Sequence, residues 1–159
     1  MDKTKNVFIS HHSKDEEHIG KLKDLLTRQG YQIKNSSIDS TKPNQANNEE
    51  YIKRLLRLRI QWAGTFICLV GSETHNRDWV NWEIEQAHKK DKRIVGVYIR
   101  GAKGTDVPEN LNKYGHSLVT WQSDKIADAI EGGLEGKDNW CDPEGNPRES
   151  VYEIIRTTC

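Results

Sequence analysis

Asp78-Trp79-Val80-Asn81-Trp82-Glu83-Ile84-Glu85-Gln86-Ala87 reads as the opening of a helix, and the rest of the chain is arranged around it. Asp78 suits an N-cap, because its short side chain can accept from the first free backbone N–H groups. On a 3.6-residue wheel Val80, Ile84 and Ala87 form one apolar stripe fit to pack on a core. Glu83 falls about 60° from Val80 on that wheel, with Trp79 one turn before it and Ala87 one turn after, whereas Trp82 and Glu85 point away. An acid beside an apolar stripe loses water, and the loss raises its pKa. Glu83 is therefore either an acid set into a site for chemistry or one that merely favours the positive end of the helix dipole. This stretch alone leaves both readings open.

Working outward, Thr65 to Val70 is the most apolar run in the chain and reads as a central strand, with Gly71 to Arg77 as the polar loop feeding the focal helix. Arg93 to Ile99 is a further strand punctuated by Gly96, Gly101 to Pro108 a loop, and Ser117 to Trp121 a short fifth strand. Ser123 then caps a helix carrying Ile126, Ala127 and Ile130. Upstream, Lys5 to Ser10 contains the strand-like Val-Phe-Ile, and Ser13-Lys-Asp-Glu16 has capping-box spacing before Ile19, Leu22, Leu25 and Leu26 repeat at helical intervals up to Gly30. Tyr31 to Ile33 reads as strand two, the polar residues 35–48 as loop, and Glu49 to Trp62 as a helix with Ile52, Leu55, Leu56 and Ala63 on one side. Strands alternating with helices imply an α/β fold whose parallel sheet is covered on both faces. Five strands suggest the flavodoxin-like order 2-1-3-4-5.

The chain has 159 residues, 34% of them apolar and 30% charged, enough for one domain with a real core. Twenty-four Lys and Arg balance 24 Asp and Glu, which argues against a partner held by overall basicity, whether nucleic acid or an anionic membrane. No apolar run is long enough to span a bilayer and the N-terminus lacks an apolar signal-peptide centre, so a cytoplasmic location is expected. Cys68, Cys141 and Cys159 have no metal or redox spacing; Cys68 reads as core packing and the other two as incidental. From Gly132 onward three Lys and Arg face six Asp and Glu. The expected division is a body over 1–131 and an acidic extension over 132–159. Trp140, Val151, Tyr152, Ile154 and Ile155 should dock the extension, with a helix from about Glu149.

In the order 2-1-3-4-5 a ligand crevice lies beyond the carboxyl ends of strands one and three. Strand one ends there in Ser10, His11 and His12, strand two in Asn35, Ser36, Ser37 and Asp39, and strand three leads into the helix of Glu83. Polar side chains at three adjacent strand ends are what a small-ligand site needs. Neither a dinucleotide-binding Gly-x-Gly-x-x-Gly nor a P-loop is present. There is no nucleophile elbow either. His11, His12 and His18 are not completed into a metal site, so no metal is expected.

These residues carry a resemblance. Val7-Phe-Ile-Ser-His11 before an amphipathic helix, Ser-Ser-Ile in the strand-two region, and Asp78 to Ala87 before an apolar strand resemble a TIR-like domain, nearest to the Thoeris antiviral TIR-like family, over roughly residues 5 to 131. The Trp-x-x-x-Glu element is the most specific part. The resemblance implies that Glu83 is the catalytic residue of NAD cleavage, with Phe8, Ser10, His11, Ser37 and Trp79 lining the site. It further implies NAD as substrate with no separate cofactor, and a cyclic or conjugated ADP-ribose signal passed to an effector protein during phage infection. TIR–TIR self-association is implied as well, and a non-catalytic adaptor acting through it is the alternative. Residues 41–48 depart from the loop of animal signalling TIR domains, so that docking mode does not carry over.

The chemistry suits one acid. Nicotinamide leaves a cationic pyridinium as a neutral base, so no general acid is needed, unlike ordinary glycosides that require two carboxylates. One carboxylate can hold the ribose hydroxyls and stabilise the positive charge growing on the ribosyl carbon. Trp79 would wall the nicotinamide riboside. Phe8 could equally be core, and Ser10, His11 and Ser37 ordinary loop residues. Arg59 sits on the apolar side of its helix and calls for a carboxylate or a phosphate within reach, while Lys53, Arg54 and Arg57 read as a solvated face.

Overall fold

The structure is a computed structural model that describes residues 6–11, 16–35, 49–71, 78–99, 101–131, 139–148 and 157–158. Strand β1 (Asn6–Ser10) leads to α1 (Glu16–Arg28), β2 (Gln32–Asn35), α2 (Glu49–Trp62), β3 (Thr65–Val70) and α3 (Asp78–Lys89). Then come β4 (Arg93–Tyr98), α4 (Glu109–Tyr114), β5 (Ser117–Val119), α5 (Ser123–Glu131), β6 (Asn139–Trp140) and β7 (Thr157–Thr158). All the strands pair in parallel, in the order β2-β1-β3-β4-β5-β6-β7. The expected order of the first five strands holds, and two short strands extend the sheet beyond the expected five.

Alternation along each strand divides the core in two. Val7 and Ile9 of β1, Ile67 and Leu69 of β3, and Val95 and Val97 of β4 pack with Ile19, Leu22 and Leu26 of α1 and Ile126 and Ile130 of α5. Phe8, Phe66, Cys68, Val70 and Ile94 face the other way, onto Leu56 and Ile60 of α2 and Val80, Ile84 and Ala87 of α3. The stripe read from the wheel is thus the face that α3 buries. All six residues of β3 are buried, as a strand covered on both faces requires.

Helix α4 departs from the sequence reading, which assigned no element between Pro108 and Ser117. Six residues are under two turns, so no periodicity can show, and Leu111 is the buried anchor. Its seat explains Gly96. A Cβ there would lie 2.6 Å from Leu118 Cδ1 and 2.7 Å from Leu111 Cδ2, so β4 needs glycine for α4 to approach. Two further boundaries move: β2 starts after Tyr31, and β5 stops at Val119.

Helix α3 is held along its length. Asn110 donates from its backbone N–H to Asn81 Oδ1 at 3.1 Å and from Nδ2 to the Asn81 carbonyl at 2.7 Å. In its last turn, His88 stacks on Tyr114 with ring centroids 3.9 Å apart. At the far edge of the sheet, β6 puts Trp140 opposite Leu118, 1% exposed. The Cys141 N–H donates to the Leu118 carbonyl at 2.9 Å, and the Tyr98 hydroxyl donates to the Cys141 carbonyl at 3.0 Å. Burial pushes the Tyr98 hydroxyl up to about 12, so it remains a donor. Cys141, read as incidental, is instead buried. Val151, Tyr152, Ile154 and Ile155 lie outside the described residues. So does most of the helix expected from about Glu149, while Thr157–Thr158 are strand.

Candidate active site

Two parities bring the site together. Ser10 follows Phe8 by two residues, so it shares the sheet face onto which α2 and α3 pack. Glu83 stands one turn before Ala87 on the buried side of α3. They meet at the carboxyl end of β1, where the Ser10 hydroxyl donates to Glu83 Oε1 at 2.8 Å. Ser10 has no exposed surface and Glu83 is 2% exposed. The other oxygen, Oε2, is buried and has no hydrogen-bond partner among the described residues.

Electrostatics follow from that burial. Desolvation pushes the Glu83 carboxyl from its ordinary 4.5 up to about 8, against the opposing pull of the Ser10 hydrogen bond and the Arg59 guanidinium. The rise expected from the wheel is therefore present. Arg59 of α2 is near enough for its charge to pull the Glu83 pKa down, the weakest of the three effects acting on that carboxyl. The cause that wins is burial. A carboxyl pushed up to about 8 favours its protonated form at neutral pH, and a cation brought close would favour loss of that proton by Coulomb attraction.

The remaining expected residues fall in different places. Phe8 is fully buried and stacks on Phe66 at 5.4 Å, so it floors the core beneath the site and has no surface to offer a ligand. His11 is 8% exposed at the end of β1. Ser37, like His12, lies outside the described residues. Trp79 is 36% exposed and meets Trp82 edge to face at 5.6 Å.

Trp82, read as pointing away, is half-buried and packs against the core. Lys53 Nζ lies 5.6 Å and the Arg57 guanidinium 5.4 Å from its ring centroid. The basic residues of α2 are thus not a plainly solvated face: Arg54 and Arg57 line an open cleft of about 320 Å³ with Glu50 and Tyr51. The signal available in the sequence was two tryptophans three apart on α3. Nothing local told which helix would supply the cations.

Among the described residues no three His, Cys, Asp or Glu side chains come close enough to hold a metal ion. No helix among them is long and apolar enough to cross a membrane.

A parallel sheet ordered β2-β1-β3-β4-β5 with helices on both faces, and a polar pair at the β1/β3 switch point, defines a flavodoxin-like α/β domain, the class to which TIR domains belong. The TIR domain of the Toll-related receptor TRR-2 from Hydra magnipapillata shares this fold, with a TM-score of 0.53 at 15% identity over 79% of this chain and 90% of that one. The chain belongs to the family described as Thoeris protein ThsB, TIR-like domain, which matches residues 8–104. A relative from Bacillus cereus (strain MSX-D12), named "Putative cyclic ADP-D-ribose synthase ThsB1", is 35% identical over 52 residues. That match covers 33% of this chain and only 27% of the relative. A 2-deoxyribosyltransferase from Bacillus psychrosaccharolyticus shares the fold with a TM-score of 0.60 at 11% identity, over 76% of this chain and 89% of that one.

Proposed function

We propose that this chain cleaves the bond between nicotinamide and ribose in NAD, with Glu83 as the catalytic carboxylate. The observation that carries the reading is the Ser10–Glu83 pair, an acid desolvated at the switch-point crevice with one oxygen left unpartnered among the described residues. A dry carboxylate with an unfilled oxygen suits a ribosyl cation better than it suits water. The pyridinium of NAD would favour ionisation of Glu83 on binding. The ionised group would then stabilise the charge that grows on the ribosyl carbon as neutral nicotinamide leaves. Trp79 and His11 would line the approach, together with Ser37.

The name of the Bacillus cereus relative supports a product in which ADP-ribose is cyclised or conjugated. By family membership such a product would act as a signal to a separate effector in antiphage defence. NAD is the substrate here and no further cofactor is called for. We place the protein in the cytoplasm on the same reading.

A second reading, a non-catalytic adaptor acting by self-association, is favoured by the 2% exposure of Glu83, which would then be structural. Nicotinamide release separates the two. The NAD-cleaving reading expects nicotinamide and an ADP-ribose product, identified by mass spectrometry after incubation with NAD and infected-cell extract, and expects neither from Glu83→Gln. A Glu83→Gln protein that still released nicotinamide would end it.

A further inference from the structure

The two oxygens of Glu83 are in different circumstances. Oε1 accepts from Ser10 at 2.8 Å, and Oε2 meets no donor among the described residues. A carboxylate that must carry charge in a dry site needs donors on its oxygens, and a donor fixed to one oxygen also fixes the carboxylate plane. Ser10 is well suited to that task. It ends β1 opposite Cys68 of β3, so its backbone is set by the centre of the sheet rather than by a loop. With no exposed surface, its hydroxyl is committed to Glu83 and is not open to a ligand.

We propose that Ser10 is a positioning residue: its hydroxyl pins Oε1 of Glu83, so that Oε2 is the oxygen presented to the ribose hydroxyls of the substrate. This rests on the NAD-cleaving reading and takes Ser10 out of the set of residues that touch substrate. It also explains why a small hydroxyl residue stands among Val7, Phe8 and Ile9 in a strand that is otherwise core. Around Glu83, α2 contributes Arg59. The titratable groups that β3 and β4 place on this face are Cys68 and Tyr98, and the hydroxyl of Tyr98 is taken by the Cys141 carbonyl. His11 follows Ser10 at the end of β1.

The experiment measures nicotinamide release across pH, with NAD and infected-cell extract, by the unmodified full chain and by Ser10→Ala, Ser10→Cys, Ser10→Thr and Glu83→Gln. Loss of a hydrogen bond to a charged group should lower kcat for Ser10→Ala by roughly tenfold to a hundredfold. KM for NAD should stay within about threefold, since the interaction lost is not one with bound substrate. The rising limb of the pH profile should shift upward, because a donor that favours ionised Glu83 has gone. Ser10→Thr, which keeps the hydroxyl, should recover most of the loss. Ser10→Cys, nearly the same size but a weak donor, should resemble Ser10→Ala and decides the matter if the alanine variant does not fold.

Unchanged kcat and pH limb in the alanine and cysteine variants would overturn the proposal, as would a raised KM at unchanged kcat. Glu83→Gln keeps the failures apart. If it is inactive while Ser10→Ala is normal, only the role of Ser10 falls; if it remains active, or if the unmodified chain releases no nicotinamide even with infected-cell extract present, the NAD-cleaving reading falls and this proposal with it.

Discussion

Glu83 ties stability to pH. In the folded chain its carboxyl titrates near 8 against an ordinary 4.5, so between those values the folded state holds a proton that the unfolded chain has lost. The contribution is present in full below the unfolded value and is lost as pH rises through the folded one. Urea melts should therefore show stability falling from about pH 5 to about pH 8, by an amount on the order of a few kcal/mol. Glu83→Gln, which cannot ionise, should flatten that slope. On the proposed NAD-cleaving reading, in which the ionised form is the active one, turnover should run the opposite way, with nicotinamide release rising with pH towards about 8. Glu85→Gln should leave the profile alone, since Glu85 sits half-exposed in an i,i+4 pair with Lys89 at 3.5 Å. Much at this scale was legible in the sequence. Burial of Glu83 follows from helical period and strand one was read as ending in Ser10 near the site, but the hydrogen bond between the two was not read. The partial burial of Trp82 was not legible, because a wheel shows one helix and its neighbour α2 supplies the cover.

Among elements, α4 was lost to sequence reading for want of length, yet it decides two features. It forces glycine at position 96 and it braces α3. Gly96→Ala puts a methyl group into Leu111 and Leu118, both buried side chains with little room to move. Denaturant unfolding should show a loss of about 1–3 kcal/mol. If stability were unchanged, the close seating of α4 on β4 would be wrong. The contacts of Asn81 with Asn110 and the His88–Tyr114 stack tie α3 to α4. On the proposed NAD-cleaving reading, with Glu83 at 2% exposure, the site would have to open before substrate reaches the carboxyl. Dilute purified protein should accordingly turn NAD over slowly or not at all until it is stimulated. Rapid cleavage without a stimulus would contradict this.

For the whole molecule, alternation of strands and helices was enough to order five strands, because every long element carries its own period. The additions at the edge were not legible: β6 and β7 are two residues each, too short for any pattern. Trp140 was the visible clue, and it is buried against the sheet as an anchor should be. Trp140→Ala should cost about 3–5 kcal/mol, read from a thermal or denaturant melt. Truncation after Glu131 should lower stability as well, and an unchanged melting temperature would mean that the extension contributes nothing to the body. The edge pairing also bears on handling and lifespan in a crowded cell. Strand β5 offers Leu118 both to β4 and, on its other side, to β6 and the Cys141 N–H. Stripped of that cover, Ser117–Val119 would show a row of unsatisfied amides and carbonyls beside a newly opened apolar slot, a template on which other chains could add strands. Light scattering on a chain shortened after Glu131 should then climb with concentration, because the cover that Trp140 and Cys141 give to β5 would be gone.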